Sequence, residues 1–367
     1  MNGTGGDWCP RVYVALITEL FQRGLTRCLV GTRGLLGEGW DATKVNVLID
    51  LTSVTTSTSV NQLRGRSFRL DPDDPEKLAD NWDVICVAPE FTKGFDDYSR
   101  FIDKHNTLFG LTDDGAVEKG VGHVHAAFTE IKPEGIEDSL SVLNAEMLAR
   151  PQRRAEFHDL WRIGQPFHPV PIHAVETSGG DVRGGGLPPF PGAKSAWSTE
   201  SLTSAIGEAV LAALRDANLI PSGEGSLHVG TRSGGYVRAF LKNADPAASA
   251  LFSEALHEAL GPLDNPRYVV PRYVDLVDDT WLSRILPRLI GQYFRRSTRQ
   301  MQMLHAVPTV FGKNKVLALI YQRHWNARVS PGEAVFAQRG EGEALLAHAL
   351  QSGTVPQTRP HRKEVFL

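Results

Sequence analysis

Cysteine is scarce in these 367 residues: Cys9, Cys28 and Cys86 lie far apart, with no CxxC pair and no histidine at ligand spacing. That argues against a disulfide framework and a structural zinc site, and fits a reducing, cytoplasmic setting. No run approaches about 18 consecutive apolar residues, so no membrane-spanning helix is expected. Met1 to Trp8 lacks a basic stretch followed by an apolar one, so no secretory leader is predicted. An excess of charge of one sign is missing too: the net charge is −3, which says nothing about partners until its distribution is considered. What is present is the balance of a globular protein, 41% hydrophobic and 22% charged residues, enough for a sizeable core in two or three domains.

The hydrophobic pattern alternates between strand-like and helix-like stretches. Pro10 to Arg23 reads as a helix with Pro10 in its first turn, apolar residues at Val12, Leu16, Leu20 and Phe21, and Gly24 at its end. Arg27 to Thr32 reads as a short strand running into a glycine-rich loop. Val45 to Leu51 and Trp82 to Ala88 are apolar runs that predict strands buried on both faces. Strands separated by helices in this way point to a parallel α/β sheet. Residues 96–175 are mixed, and 176–200, with Gly184-Gly185-Gly186 and Pro188-Pro189-Phe190-Pro191, read as a linker. Beyond it, Ser201 to Ala217 is amphipathic through Leu202, Ile206, Val210 and Leu214. Further strands are predicted at 236–241, 267–270 and 334–338, and helices at 246–260, 279–296, 313–328 and 340–351. Residues 201–355 therefore read as a separate α+β domain, followed by a basic tail over 356–367.

Two segments carry chemistry. Gly31-Thr32-Arg33-Gly34-Leu35-Leu36-Gly37-Glu38-Gly39-Trp40-Asp41 is a glycine-rich loop of the kind that lets backbone N–H groups approach phosphate. Taken alone, it is equally a tight turn. Gln62-Leu63-Arg64-Gly65-Arg66-Ser67-Phe68-Arg69 places three arginines within eight residues. Arg66 and Arg69, three apart, share one face of a helix and can form a fork for the charge on a transferring γ-phosphoryl group.

Together, in this order and with an apolar strand between them, these segments resemble motifs V and VI of superfamily 2 DEAD/DEAH-type helicases, a resemblance covering roughly residues 10–95. It implies a partial RecA-like domain over 1–95, the second of the two in such a motor. Thr32, with Arg33 beside it, would touch a nucleic-acid phosphate. Gly37, Glu38, Gly39 and Asp41 would line the nucleotide cleft between the motor domains. Gln62 would contact nucleotide, and Arg66 and Arg69 would be the arginine fingers. Arg64 falls between the motif positions. The matching first-domain elements are not in the sequence. No G-x4-G-K-[ST] occurs; at Gly312-Lys313, Val307 stands in place of the first glycine and Asn314 in place of the Ser/Thr. No Asp-Glu dipeptide occurs either. ATP and Mg would therefore have to be held by a first RecA-like domain on another polypeptide, and this chain alone would not hydrolyse ATP.

Between Thr280 and Gly332 lie nine basic residues and no Asp or Glu. They include Arg295, Arg296, Arg299, Lys313 and Lys315, interleaved with Trp281, Tyr293, Phe294, Tyr321 and Trp325. This reads as a surface for DNA or RNA phosphates with aromatics for stacking, or as a solvated face with its aromatics in the core. His123-Val124-His125 would place two rings on one face of a strand, but no Cys, Asp or Glu at ligand spacing completes a metal site. Asp113-Asp114 reads as a turn, Asp278-Asp279 as a helix start, and Asp71 to Glu76 as a solvated loop. The sequence thus predicts an α/β fold with a partial RecA-like parallel sheet and an α+β accessory domain, working in an ATP-dependent helicase or translocase. The alternative is an ATPase-dead nucleic-acid-binding or assembly protein that keeps the scaffold.

Overall fold

A computed structural model describes residues 9–34, 40–161, 166, 169–179, 196–278 and 296–367. Two compact units make up the chain: one from residues 1–111 and 119–164, the other from 112–118 and 165–367. The fold is α/β with mixed sheets. Among the described residues, no helix is long and apolar enough to cross a membrane.

The first unit opens with α1 (Pro10–Gln22), β1 (Val47–Asp50), α2 (Ser57–Ser67) and β2 (Asp80–Asp83). β1 and β2 pair in parallel, from Val47 opposite Asp80 to Asp50 opposite Asp83. α3 (Asp96–His105), β3 (Phe109–Leu111), α4 (Ile136–Ala149) and α5 (Glu156–Trp161) follow. The core of this unit is Tyr98, Phe101, Val121, Ile136 and Leu143, which means α3, α4 and the turn between them. Residues 96–111 and 119–161 thus belong to this unit, and 112–118 to the second, so 96–175 is not a separate extension.

Four expectations change here. Residues 27–32 form no strand: among the described residues nothing pairs with them, and Val30 is 95% exposed. The α1 stripe faces no core, since none of that helix's described side chains is buried. β1 is not covered on both faces, because Val47, Ile49 and Leu51 are exposed. The run at 82–88 contributes only its start to β2; after Asp83 the chain turns so tightly that a Cβ on Gly94 would lie 1.8 Å from the carbonyl oxygen of Ala88. A strand persists only where a neighbour accepts its hydrogen bonds, and β1 offers four residues.

In the second unit, β4 (Val117–Lys119), β5 (Ile172–Thr177), β6 (Ser226–Thr231), β7 (Val237–Lys242) and β11 (His361–Phe366) lie in the order β4-β11-β5-β7-β6. β11 pairs antiparallel with β4 and β5, and β7 with β5 and β6. One face carries α6 (Thr199–Asp216) and α7 (Pro246–Leu260), which bury Leu202, Ile206, Val210, Leu214, Phe252 and Leu256 against Val175, Ala239 and Leu241. Both helices start on strong caps: Ser198 and Ser201 form a reciprocal capping box, and Asp245 accepts from the Ala248 amide ahead of Pro246. A second sheet, β10-β8-β9, is built on β8 (Tyr268–Asp278), β9 (Arg296–Ala306) and β10 (Val335–Phe336). A one-turn α8 (Thr309–Gly312), α9 (Lys315–Arg328) and α10 (Glu341–Ser352) complete the unit.

Residues 361–366, read as part of a basic tail, are instead an inner strand. The alternation that puts Lys363 and Val365 on one face was hidden by the flanking charges. The stretch read as a linker begins inside β5, with Glu176 and Thr177, and ends inside α6; 180–195 lie outside the described residues. The helix expected over 279–296 lies outside them too, except Arg296, which opens β9.

Candidate functional site

The C-terminal half of α2 brings the two motif-like segments together. Its apolar residues are few, so Val60 and Ser67 are its only buried positions and the polar residues are placed by hydrogen bonds. Arg66 Nη1 donates to the carbonyl oxygen of Trp40 over 2.7 Å. Arg69, just past the end of the helix, forms an ion pair with Asp41. Trp40 is itself fixed, its indole N–H donating to Thr18 Oγ1 of α1 over 2.8 Å. Arg33 Nη2 donates to Ser59 Oγ in the first turn of α2 over 2.7 Å. Thr32 and Gln62 are exposed. Gly37, Glu38 and Gly39 lie outside the described residues.

Arg64 points elsewhere. Its guanidinium pairs with Asp83 Oδ2 at 3.1 Å and donates to His105 Nε2 at 2.8 Å. Lys104 sits between Asp83 and Asp50, 2.5 Å from the latter, and is nearly buried. Asp50 and Asp83 end the two parallel strands, so α3 closes the sheet with a salt-bridge cluster of two cations and two carboxylates. Burial alone would raise the Asp50 carboxyl; hydrogen bonds from Lys104 and Thr52 outweigh it and hold it below the usual range. Burial pushes His105 down to about 4 and His123 down to about 3, so both are neutral at pH 7. His105 Nδ1 faces the Phe101 carbonyl at 2.9 Å and leaves Nε2 to accept from Arg64.

The two histidines at 123 and 125 are not in a strand. His123 lies in a 3-10 turn, bonded to the Gly120 carbonyl, and His125 caps the next turn, bonded to Glu146 over 2.6 Å. Among the described residues, no group of three or more His, Cys, Asp and Glu could hold a metal ion.

The remaining candidates belong to the second unit. Lys313 and Lys315 are exposed, just before and at the start of α9. Arg299, on β9, pairs with Asp275 across the hairpin at 3.4 Å, and Arg323 pairs with Asp216. Arg295 and the side chain of Arg296 lie outside the described residues, as do Trp281, Tyr293 and Phe294. Tyr321 and Trp325 are fully buried, with Phe311 stacked on Tyr321 at 5.1 Å. They are core residues and offer no stacking surface; their spacing along α9 alone could not tell an inward stripe from an outward one.

A charged cluster that the sequence did not signal lies in the same unit. Arg232 Nη1 and Arg238 Nη2 both donate to Glu176 Oε2, at 2.6 and 3.0 Å, and Lys363 Nζ donates to Glu176 Oε1 at 2.5 Å. Glu118 accepts from Arg238 and Lys363 as well. The Asp113-Asp114 turn completes the cluster: Asp113 accepts from Arg232 over 2.9 Å and Asp114 from Arg238 over 3.0 Å. Burial would raise the Glu176 carboxyl, but Arg232, Lys363 and Arg238 outweigh it and hold it at about 2. Every carboxylate oxygen here accepts a hydrogen bond, while the buried Nε of Arg238 has no partner; the paired charges suit a structural clamp rather than a site awaiting substrate.

Comparison of the chain with protein-family models, with curated proteins and with solved structures found no match.

Proposed function

We propose that this chain is the arginine-bearing part of an ATP-driven DNA or RNA helicase or translocase of the superfamily 2 DEAD/DEAH type, its parallel strand pair being a piece of a RecA-like domain. The observation that supports this reading is the engagement of Arg66 and Arg69 with Trp40 and Asp41. It couples the glycine-rich segment to the arginine segment, so a shift at one is felt at the other. A guanidinium has five N–H donors; one bond to the Trp40 carbonyl leaves Arg66 able to meet a γ-phosphoryl oxygen. ATP and Mg would be held by a first RecA-like domain that these residues do not include, and Thr32 and Arg33 would meet nucleic-acid phosphate.

One observation favours the second reading, an ATPase-dead binding scaffold: the charge of Arg69 is already met by Asp41. Reconstitution with a P-loop-bearing first domain separates the two. On the motor reading, Arg66→Ala and Arg69→Ala each lower nucleic-acid-stimulated ATP hydrolysis by roughly a hundredfold or more. Unchanged hydrolysis in both variants would leave the scaffold.

A further inference from the structure

The second unit holds a cavity of about 340 Å³ between the C-terminal end of α7, the turn that leads into β8, and α8 with the residue after it. That volume lies at the lower end of the roughly 300–1,000 Å³ found for small-molecule sites, so it admits a compact molecule rather than a length of polymer. Pro266, Ala306 and Val307, all buried, give it an apolar wall. The rest of the lining is charged: Arg267, Lys313 and Arg359 on one hand, Glu258 and Asp264 on the other.

These charges do not cancel. Arg359 pairs with Asp264 at 2.9 Å, and Glu258 Oε2 accepts from the Thr309 amide over 2.5 Å. Arg267 Nη1 donates to the backbone carbonyl of Lys313 over 2.9 Å, which ties these two residues together at the cavity. Among the described residues no carboxylate pairs with the side chain of either one. The chain's undescribed stretches in this unit are a poor source of the missing charge. Residues 180–195 and 279–295 contain Asp181 and Asp279 against Arg183, Lys194, Arg284, Arg288 and Arg295. Either stretch would bring net positive charge to Arg267 and Lys313, which like-charge repulsion opposes.

We propose that this cavity binds a compact organic phosphomonoester. Such a group carries close to two negative charges at neutral pH, matching the two unpaired cations, and its organic body lies on the wall of Pro266, Ala306 and Val307. The Arg267 guanidinium keeps donors beyond the one given to Lys313, so it can take phosphate oxygens in its fork. Lys313 adds a mobile point charge. A carboxylate would answer only one of the two cations, and so would a phosphodiester inside a strand. The site does not depend on the motor reading.

Calorimetric titration of the full chain tests it, with inorganic phosphate, glycerol 3-phosphate, glucose 6-phosphate and adenosine monophosphate as probes. At least one ester is expected to bind once per chain, and at least tenfold more tightly than inorganic phosphate because the apolar wall contributes. Lys313→Met alters an exposed side chain and is expected to weaken that binding at least tenfold with an unchanged melting temperature; Arg267→Gln is expected to do the same. No saturable binding by any probe at about 1 mM would overturn the site. So would esters no tighter than inorganic phosphate, or equal affinity in the wild type and both variants. A strand of about ten nucleotides without a terminal phosphate, binding through Arg267 and Lys313 while no ester competes, would assign these cations to a nucleic-acid track and overturn it as well. A 5′-phosphorylated strand that displaces the ester, where the same strand without the phosphate does not, would support the site and put the phosphate on a nucleic-acid end. Failure of both strands to displace a bound ester would support it with a free metabolite as occupant.

Discussion

Arg64 and Arg66 sit two positions apart on α2 and serve different ends: Arg64 reaches inward to Asp83 and His105, while Arg66 reaches the backbone of Trp40. The helical turn separates a structural guanidinium from one held near the glycine-rich segment.

That division gives opposite expectations for two neighbouring substitutions. Arg64→Ala removes a partner from a nearly buried ion pair and is expected to cost about 3 kcal/mol, read as a lower urea midpoint for the first unit. Arg66→Ala removes one hydrogen bond on a partly exposed side chain and is expected to cost about 1 kcal/mol. Equal losses in the two variants would refute the assignment.

Lys104 is the second cation of that cluster. Lys104→Met keeps the length of the side chain but strands Asp50, and a loss of about 3 kcal/mol is expected. The double variant Lys104→Met/Asp50→Leu should recover much of it, because two apolar groups replace a pair instead of orphaning one member. No recovery in a denaturant titration would show that the aspartate has a further role.

The two units are expected to fail in acid over different windows. His105 and His123 titrate at about 4 and about 3 in the folded chain against about 6.5 unfolded. The unfolded chain therefore takes up protons first, and the stability these histidines give is complete above pH 6.5 and lost as pH falls towards 4. For His105 alone the loss reaches about 3 kcal/mol. Glu176 has the depressed value of an acid, about 2 against 4.5. Its contribution is complete above pH 4.5 and disappears towards pH 2. Amide exchange at a series of pH values should show the first unit opening near pH 5 with the second intact; simultaneous opening would contradict both assignments.

Glu176→Gln is expected to destabilise the second unit by about 3 kcal/mol, because Arg232, Arg238 and Lys363 all lose an acceptor charge in a site that water does not reach. A near-neutral effect in thermal melts would mean that Glu118 and the Asp113-Asp114 turn suffice.

The purified chain is expected to show no ATP turnover with DNA or RNA, in a phosphate-release assay sensitive to about one turnover per hour. Robust turnover would overturn the proposed need for a first motor domain.

The helices packed on the second unit's sheet were legible because their signals are local. The Leu202, Ile206, Val210 and Leu214 stripe and the Asp245-Pro246 start lie within a few residues of what they specify. The contacts between the motif-like segments, Arg66 with Trp40 and Arg69 with Asp41, were not announced by the sequence, which offered only the residue types. Cross-strand partners were not legible. Glu176 faces Arg238 and His361 through register alone, and nothing in the spacing of those residues announces it. The strand expected at 27–32 failed for the opposite reason, since a good local pattern has no neighbour to pair with.

The position of β11 has a consequence for how the protein is made. His361–Phe366 lies between β4 and β5 and carries Lys363, a third cation shared by Glu118 and Glu176 beside Arg232 and Arg238. Until that segment leaves the ribosome, β4 and β5 lack the strand that bridges them, and the two glutamates have the two arginines alone. The sheet of the second unit therefore completes only after α6 and α7 have emerged, once β11 can enter between β4 and β5.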